Sequence, residues 1–298
     1  MTQFFELLVS GLSLGCIYAL IAMGFVIVFK ATNVVNFAHA SVLMLGAYLV
    51  ARLHDGMGFV GAVLASAALC AVAAALLDVV FVRPLRRRRG SVDALAILTI
   101  GLNIVLGTEL SRRVGTDLLP SGAPWGSNVT HILGIAVPQT RIAAGAVAIV
   151  LMAAFWAAFT YTDWGVAMRS TAADPQTAAL MGIRLSRVAA GAWALAGALA
   201  AIGGAFFTSF PASGVNNATG LLALTAIPAA VLGGLDSTAG AVVGGLVIGV
   251  ATTFAAGYQD EISFLGRGLG GVAPFAVMLL VLLIRPSGLF GTRELTRV

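Results

Sequence analysis

Long apolar runs separated by short polar segments make up most of this chain. Because a helix needs about 20 apolar residues to cross a bilayer, the runs predict spans over residues 7–29, 34–51, 57–82, 92–111, 141–161, 188–210, 238–258 and 268–284, with a shorter segment over 221–234. We expect the first run to be retained as a span, since no Lys or Arg precedes it as in a secretory signal. The pattern predicts an all-α polytopic membrane helix bundle of about 8–9 segments, forming a single transmembrane domain over residues 1–298.

Polar residues interrupt two of these apolar runs. The first interruption covers residues 33–40 and contains two amides and an imidazole, at Asn33, Asn36 and His39. Polar groups at membrane depth are costly unless they face protein or a water-filled cavity. These three residues are therefore candidates for a translocation pathway. His39 could equally donate to a backbone carbonyl that the break leaves free.

The second interruption covers residues 232–238 and follows a segment too short to cross a bilayer. Residues 221–234 reach only about 21 Å at 1.5 Å per residue, which predicts a half-spanning helix. The candidate pathway residues here are Gly233, Gly234, Asp236 and Ser237. Asp236 or Ser237 is expected to cap the helix that follows, and a capping role fits Asp236 better than substrate binding.

Glycines recur at four-residue spacing in three apolar runs. Such spacing lets two helices approach closely, so we predict tight helix packing at Gly11/Gly15, Gly240/Gly244 and Gly245/Gly249. Three acidic residues, Asp78, Asp93 and Glu109, lie near the ends of predicted spans. We expect them to be interfacial or paired with nearby arginines.

The one long polar stretch in the second half of the chain covers residues 163–187. Within it, Asp174 and Pro175 begin a short helix, because Asp accepts the free N–H groups of a first turn and Pro suits the first helical position. Gly182 ends that helix, since Gly readily adopts the left-handed conformation. A helix of about two turns is marginal in water, so we predict that a partner protein holds it. The residues of this predicted docking surface are Ala173, Asp174, Pro175, Ala178, Leu180, Met181 and Gly182.

Composition and charge define the environment and the orientation. Apolar residues make up 59% of the chain and charged residues 10%, whereas soluble domains carry about 25% charged residues. Nine crossings with the N-terminus outside and the C-terminus cytoplasmic place twelve basic residues in the cytoplasm and five outside, which fits the positive-inside rule. The same orientation places residues 163–187 in the cytoplasm. The basic run at 83–90 is interpreted as an anchor that contacts anionic lipid of the bilayer, and no nucleic-acid partner is expected.

No catalytic, cofactor or metal site is predicted. A nucleotide-binding P-loop needs Gly-Lys-Ser/Thr, but the only lysine, Lys30, is followed by Ala31. Energy from ATP would therefore have to come from a separate ATPase. Cys16 and Cys70 lie inside apolar runs and are interpreted as packing residues. Three His and two Cys form no constellation suited to a metal or a nucleophile.

The 163–187 segment resembles the cytoplasmic coupling loop of ABC importer permeases, in the variant found in LivH-type permeases of branched-chain amino acid uptake systems. Ala172-Ala173-Asp174 stands where the general importer motif has Glu-Ala-Ala, and Leu180-Met181-Gly182-Ile183 follows in the LivH manner.

Both breaks are similar to the same family. The matching residues are Asn36-Phe37-Ala38-His39 in the first break and Val231-Leu232-Gly233-Gly234 in the second, in a likeness that covers residues 11–290. One departure follows His39, where the family commonly has Gly and then an acidic residue. This chain has Ala40 and Ser41 there, so no role of that acidic position carries over.

The resemblance implies a multi-pass permease of the cytoplasmic (inner) membrane. Its implied partners are cytoplasmic ABC ATPase subunits, a second related permease chain in a heterodimer, and an extracytoplasmic solute-binding protein. ATP would bind to the ATPase rather than to this chain. The family is most often associated with branched-chain amino acids, and its members also serve urea, short amides and aromatic acids.

Two other function classes compete with this interpretation. An ion-coupled secondary transporter could use Asp236 or His39 as a proton carrier, and broken helices fit that class equally well. Such a transporter has no need of a cytoplasmic docking helix. A membrane enzyme is the third class, but the chain offers it no set of reacting residues.

Overall fold

The computed structural model describes residues 2–88, 90–116, 118–125, 128–132, 135–209, 214–261 and 267–291. The chain packs into two units, which we name by their position in the sequence. The central unit is Ile27–Pro124 with Val150–Leu224, and the terminal unit is Met1–Val26, Trp125–Ile149 and Thr225–Val298. That residues 1–298 form one transmembrane domain stays a prediction.

Helices make up almost all of the regular structure. In chain order they are α1 (Thr2–Thr32), α2 (His39–Leu77), α3 (Arg83–Arg87), α4 (Val92–Val114), α5 (Gln139–Tyr161), α6 (Asp163–Ala173), α7 (Pro175–Leu180), α8 (Leu185–Phe207), α9 (Thr219–Ala223), α10 (Ile227–Gly233), α11 (Thr238–Gly257) and α12 (Leu269–Ile284). A π-helical turn, Asp78–Val82, joins α2 to α3, and a 3-10 turn, Leu224–Ala226, joins α9 to α10. Between α4 and α5 lies one antiparallel hairpin, β1 (Val129–Ile132) with β2 (Ile135–Pro138), which the sequence did not predict.

Six helices in the described residues are long and apolar enough to cross a membrane. They are Gln3–Thr32, His39–Arg87, Val92–Val114, Gln139–Tyr161, Leu185–Phe207 and Thr238–Gly257, with shorter apolar helices at Leu224–Gly233 and Leu269–Ile284. The helical, polytopic architecture is thus confirmed. The number of crossings and the orientation of the termini stay predictions.

Helix α2 is a hairpin of two helical legs rather than one long rod. Gly58 interrupts it with φ 71° and ψ 167°, a left-handed backbone conformation that glycine adopts without steric cost. The Ser66 hydroxyl then donates to the Gly46 carbonyl at 2.8 Å, and the Cys70 thiol lies 3.8 Å from the Val42 carbonyl. Because both pairs are symmetrical about the turn, the second leg runs antiparallel to the first, as the two predicted spans require.

Helix α8 packs against α2 with backbone-to-backbone contact in the central unit. A Cβ added at Gly46 would lie 2.4 Å from the Ala201 Cα, and one at Gly197 would lie 2.3 Å from the Cys70 carbonyl oxygen. No real Cβ tolerates such distances. Glycine at these positions therefore sets how closely the two helices approach.

The predicted glycine packing is confirmed in the terminal unit, where α11 lies between α1 and α10. A Cβ at Gly245 would meet the Ala19 backbone at 2.3 Å, and a Cβ at Gly244 would meet the Ala229 carbonyl at 2.1 Å. Gly249 approaches the Gly15 backbone in the same way. Small residues bring these three helices into direct main-chain contact.

The acidic residues near the span ends have the expected surroundings. Asp78 is buried and forms ion pairs with Arg83 and Arg86, with N–O distances of 3.5 and 3.2 Å. Glu109 pairs with the two arginines that follow it in α4, at 2.9 and 2.7 Å. Asp93 is exposed in the first turn of α4.

Candidate coupling and translocation sites

The polar stretch 163–187 contains two helices, where the sequence predicted one. Helix α6 begins at the cap residue Thr162, whose hydroxyl accepts from the Gly165 N–H at 3.1 Å. Met168 and Thr171 on its inner face are buried. Helix α7 follows after a single extended residue, Asp174, and both α6 and α7 contact α8.

Asp174 caps α7 as predicted. Its carboxylate accepts the Gln176 N–H at 2.9 Å and the Thr177 hydroxyl, and Pro175 occupies the first helical position. The Thr177 hydroxyl first, and then the backbone N–H groups of Thr177 and Gln176, lower the pKa of Asp174 from its ordinary value. The cap is therefore ionised throughout the neutral pH range.

Gly182 ends α7 in the manner predicted. Its φ is 86°, the Ile183 N–H bonds to the Ala178 carbonyl at 3.0 Å, and the Gly182 N–H bonds to the Ala179 carbonyl at 3.0 Å. This pair of bonds around a left-handed glycine is a Schellman motif, which fixes the last turn of a helix. A helix of only six residues is thus held by backbone and side-chain bonds at both ends.

The apolar residues of α7 divide between two faces. Leu180 and Met181 are 88% and 79% exposed, whereas Ala178 is only 3% exposed. The sequence interpretation grouped Ala178 with the exposed apolar end, and the structure places it on the inner face instead. The reason is helical geometry, since a residue two positions before Leu180 points to a different side. Leu180 and Met181 form the outward-facing end of the segment.

The first break is fixed by a residue of α4 that the sequence analysis did not select. The Thr99 hydroxyl accepts the Phe37 N–H at 3.3 Å, and its own proton lies between the Ala96 carbonyl at 2.9 Å and the Val35 carbonyl at 3.2 Å. This side chain therefore pairs a main-chain N–H that the interrupted helix leaves free and contacts a second main-chain group of the break. Asn33, at the start of the break, is exposed and has φ 54°.

Asn36 and His39 are buried on the inner side of this break. At the start of α2, the backbone N–H of His39 donates to the backbone carbonyl of Asn36 at 3.2 Å. The Asn36 side-chain oxygen is buried and accepts no hydrogen bond from the described residues. A buried acceptor without a donor is costly, so this amide is suited to meeting a polar group that passes through.

A groove runs along α4, and we call it the polar groove because five of its ten lining residues are polar. Its volume is about 340 Å³. The Ser41 hydroxyl lies 2.8 Å from the Asn103 carbonyl and also contacts the Asn103 side chain. The groove is lined by Ser41, Met44, Asn103, Ile104, Gly107, Thr108, Ser111, Asn217, Gly220 and Leu224.

The sequence reasoning missed these groove residues, although a signal for them exists. Thr99, Asn103, Gly107 and Ser111 recur every four residues in an otherwise apolar run. Four-residue spacing places side chains on one face of a helix, so this stripe predicts a polar face along α4.

The second break is closed by the segment that follows α12. The Ser237 hydroxyl accepts the Gly240 N–H at 3.0 Å, so Ser237 is the residue that caps α11. The Leu289 N–H donates to the Leu232 carbonyl at 2.8 Å, and the Phe290 N–H donates to the Gly233 carbonyl at 3.0 Å. The free carbonyls at the end of α10 are thus satisfied by the chain itself.

Gly233 and Gly234 are buried against backbone. A Cβ on Gly233 would lie 2.1 Å from the Gly240 carbonyl, and one on Gly234 would lie 2.6 Å from the Gly291 nitrogen. Gly234 also has φ 104°. Close packing and backbone conformation therefore both require glycine here. Asp236 lies in the turn between these glycines and the cap, and its carboxylate is near Gly291.

In the central unit, one residue of the first break and one residue of the 163–187 segment line the same cavity. Asn33 and Pro175 line one cavity of about 330 Å³, at the point where α1 ends and α8 begins. The predicted residues of the second break belong to the terminal unit. In the described part of the chain, no three His, Cys, Asp or Glu side chains gather in a way that could hold a metal ion.

Comparison with known proteins gives a consistent match over nearly the whole chain. A family model described as the permease component of branched-chain amino acid transport systems matches residues 7–283. The high-affinity branched-chain amino acid transport system permease protein LivH of Salmonella typhimurium is 31% identical over 315 aligned residues, which cover 99% of this chain and 98% of that protein. BraD of Pseudomonas aeruginosa, named for the same kind of system, is 29% identical, with 99% and 98% covered. No solved structure matches.

Proposed function

Because this chain belongs to the family of permease components of branched-chain amino acid transport systems, we propose that it is the membrane permease subunit of an ABC importer. It is a multi-pass protein of the inner membrane and works with ATPase subunits and a solute-binding protein. Its solute is a branched-chain amino acid or a related small amphipathic molecule. ATP is bound by the separate ATPase, and a second, related permease chain completes the membrane part as a heterodimer.

The coupling step is assigned to α7. Leu180 and Met181 lie at the end of a helix whose two termini are both fixed, and both side chains are exposed. Exposed large apolar side chains outside a membrane span indicate a protein contact. A groove on the surface of the ATPase subunit would cover these two side chains. When the ATPase binds ATP, that groove would displace α7 as a rigid body. This exposed pair on a fixed helix is the observation that carries the proposal.

The translocation step is assigned to the first break and the polar groove. Asn36 offers a buried side-chain acceptor, His39 is buried one turn later, and Ser41 and Asn103 line the groove. Pro175 of α7 and Asn33 line the same cavity, so a displacement of α7 would change the surroundings of the break. For the second break, Gly233, Gly234, Asp236 and Ser237 support the pathway by holding α10 and α11 together.

The test uses charge substitutions at the exposed apolar pair. Leu180→Glu with Met181→Glu leaves the buried face and both ends of α7 unchanged, so the chain folds and inserts. The variant is expected to lose co-purifying ATPase subunits, because a carboxylate would have to be desolvated in an apolar groove. Val166→Glu is the matched control, since Val166 is an exposed apolar residue on α6 and lies outside α7.

Two results would contradict the proposal. One is undiminished ATPase co-purification and binding-protein-stimulated hydrolysis in the Leu180/Met181 variant. The other is solute uptake in proteoliposomes that follows a pH gradient without ATP and disappears in Asp236→Asn, as expected of a proton-coupled transporter.

A further inference from the structure

A second groove of the central unit lies between α2 and α4. Its volume is about 330 Å³. Seven of its eleven lining residues are aliphatic, so we call it the apolar groove. It is lined by Ser41, Val42, Leu45, Tyr48, Leu49, Ala73, Leu77, Leu106, Glu109, Leu110 and Arg113.

The charged residues of the apolar groove lie together at one of its ends. Near the start of the first leg of α2, Ser41 contacts Asn103 of α4 at 2.8 Å. Near the end of that leg, Ala51 shares a buried cluster with Val114 of α4. The leg and α4 therefore run parallel. Because the charged lining residues come late in α4, they lie at the end of the groove nearest the Gly58 turn of α2.

Exposed apolar side chains flank the groove residues in sequence on both sides. On the second leg of α2, Leu69, Val72 and Leu76 are more than half exposed and recur every three or four residues, which places them on one face. Val105 of α4 is also more than half exposed. Both helices are apolar enough to cross a membrane, and large exposed apolar surfaces indicate contact with a membrane or a protein.

The length of the groove fits within one leaflet of a bilayer. Ser41 and Leu49 are eight residues apart, which is about 12 Å at 1.5 Å per residue. One leaflet contributes half of a hydrocarbon core of about 30 Å. Arg113 lies in the last turn of α4, which ends at Val114. The charged end of the groove therefore falls at the height of the lipid headgroups, and the apolar part falls at the height of the acyl chains.

The charged end has an excess of positive charge. The Glu109 carboxylate pairs with the Nε atoms of both Arg112 and Arg113, at 2.9 and 2.7 Å. One negative group therefore faces two positive groups. A third guanidinium, that of Arg52, lies 5.4 Å from the centre of the Tyr48 ring, and Tyr48 lines the groove.

This arrangement favours a phosphate over an ammonium group. A guanidinium can donate two parallel hydrogen bonds to a phosphate. An ammonium group would need a carboxylate, and both arginines already occupy Glu109. Asp55, a nearby carboxylate in the sequence, has a side chain that is 90% exposed and contacts His54 instead.

We propose that the apolar groove is a binding site for one anionic phospholipid, with an acyl chain between α2 and α4 and the phosphate at Arg113. Helix α4 also lines the polar groove, so a bound lipid would support the helix that carries part of the translocation pathway. That consequence rests on the proposed function, whereas the lipid site itself does not.

The binding experiment uses the full chain purified in detergent without its partners. Native mass spectrometry would count bound phosphatidylglycerol and phosphatidylethanolamine with identical acyl chains as each is titrated. One phosphatidylglycerol is expected to bind more tightly than any phosphatidylethanolamine. Arg113→Gln should weaken phosphatidylglycerol binding about fivefold, the contribution of one basic residue near a membrane surface. Arg113 is exposed, so this variant leaves the buried core unchanged.

Arg112→Gln is the matched control for charge. It removes the other guanidinium that pairs with Glu109, at a residue that does not line the groove. Its effect on phosphatidylglycerol binding should be smaller than that of Arg113→Gln.

A second pair of variants tests the acyl part of the groove. Ala73→Phe places a ring in the groove and should weaken the binding of phosphatidylglycerol. Val72→Phe places the same ring at the neighbouring position, which is exposed and does not line the groove. This control should bind phosphatidylglycerol like the parent chain.

Several outcomes would overturn the assignment. Equal binding of the two lipids would show that the headgroup charge is not recognised. Equal losses in Arg112→Gln and Arg113→Gln would indicate general charge attraction without a site. Glycerophosphoglycerol, which is the headgroup without acyl chains, would reveal a simple anion site if it competed at the same concentration as the lipid. If Ala73→Phe disrupted self-association of the chain and left lipid binding unchanged, the groove would be a protein interface.

Discussion

The contact between α2 and α8 offers a sharp test of the fold, at Gly197. A Cβ there would lie 2.3 Å from the Cys70 carbonyl oxygen and 2.7 Å from the Ala74 Cβ, whereas ordinary contact begins near 3.4 Å. Gly197→Ala therefore requires the helices to separate by about 1 Å. Overpacking costs about 1–3 kcal/mol, and backbone atoms cannot rotate away, so the upper end applies. Better helix propensity returns about 1 kcal/mol, which leaves a net loss of about 2 kcal/mol.

The assay uses the buried thiol at the same contact. Cys16 and Cys70 are the only cysteines, so in a Cys16→Ser background a maleimide dye reports the temperature at which Cys70 becomes exposed. A loss of about 2 kcal/mol should lower that temperature by about 4–8 °C. Gly101→Ala is the control, because a Cβ there meets no described atom within 4 Å. The control should melt at the same temperature or slightly above.

The packing argument fails if Gly197→Ala melts at or above the temperature of the parent while the Gly101 variant behaves as expected. The two helices would then be further apart than the structure has them. A lower melting temperature in both variants would instead point to a general intolerance of alanine, unrelated to the Cys70 contact.

Two further predictions concern the coupling helix and the groove. Asp174→Asn should retain coupling while Asp174→Ala weakens ATPase stimulation, since Asn caps a helix as well as Asp does; equal loss in both would indicate that the charge matters. The pKa of Asp174 is lower in the folded chain than in the unfolded chain, so its carboxylate stabilises the fold fully above the unfolded-state pKa. That stabilisation is lost only as the pH falls through the folded-state pKa. ATP hydrolysis measured from pH 6 to 8 should therefore show no transition from this group. Ser41→Ala should slow solute uptake in proteoliposomes because it removes the bond to Asn103 in the groove. Ser66→Ala, which removes a buried bond outside the groove, should lower thermal stability without slowing uptake per folded molecule, and equal slowing in both would argue against the groove.

Local backbone chemistry made the coupling segment predictable from sequence. Asp174, Pro175 and Gly182 each act through rules that need no tertiary structure, namely a cap, a preset φ and a left-handed residue. The breaks were predictable for a similar reason, since polar residues and paired glycines stand out in an apolar run. The spacing of the glycines also predicted tight packing, because only close helices require it.

Properties that depend on what lies opposite a residue were not predictable. Ala178 is apolar like Leu180, and only the packing of α7 decides that one is buried and the other exposed. The closure of the second break could not be predicted because the partners that close it, Leu289 and Phe290, lie more than fifty residues later. The four-residue stripe on α4 could have indicated Thr99 as part of a polar face, but its contacts with Phe37 and Val35 depend on the fold.

The two main-chain bonds that Leu289 and Phe290 donate to the end of α10 have a consequence for motion. A glycine at φ 104°, as at Gly234, would ordinarily be the first place to look for a hinge. Here two main-chain bonds tie the strip after α12 to the end of α10, and Gly233 and Gly244 place the backbone of α10 directly against α11. Bending at residue 234 would therefore have to separate packed backbone. Helices α10, α11 and α12 should therefore move as one rigid body. The distance between spin labels at positions 230 and 289 should then stay the same at every stage of the transport cycle.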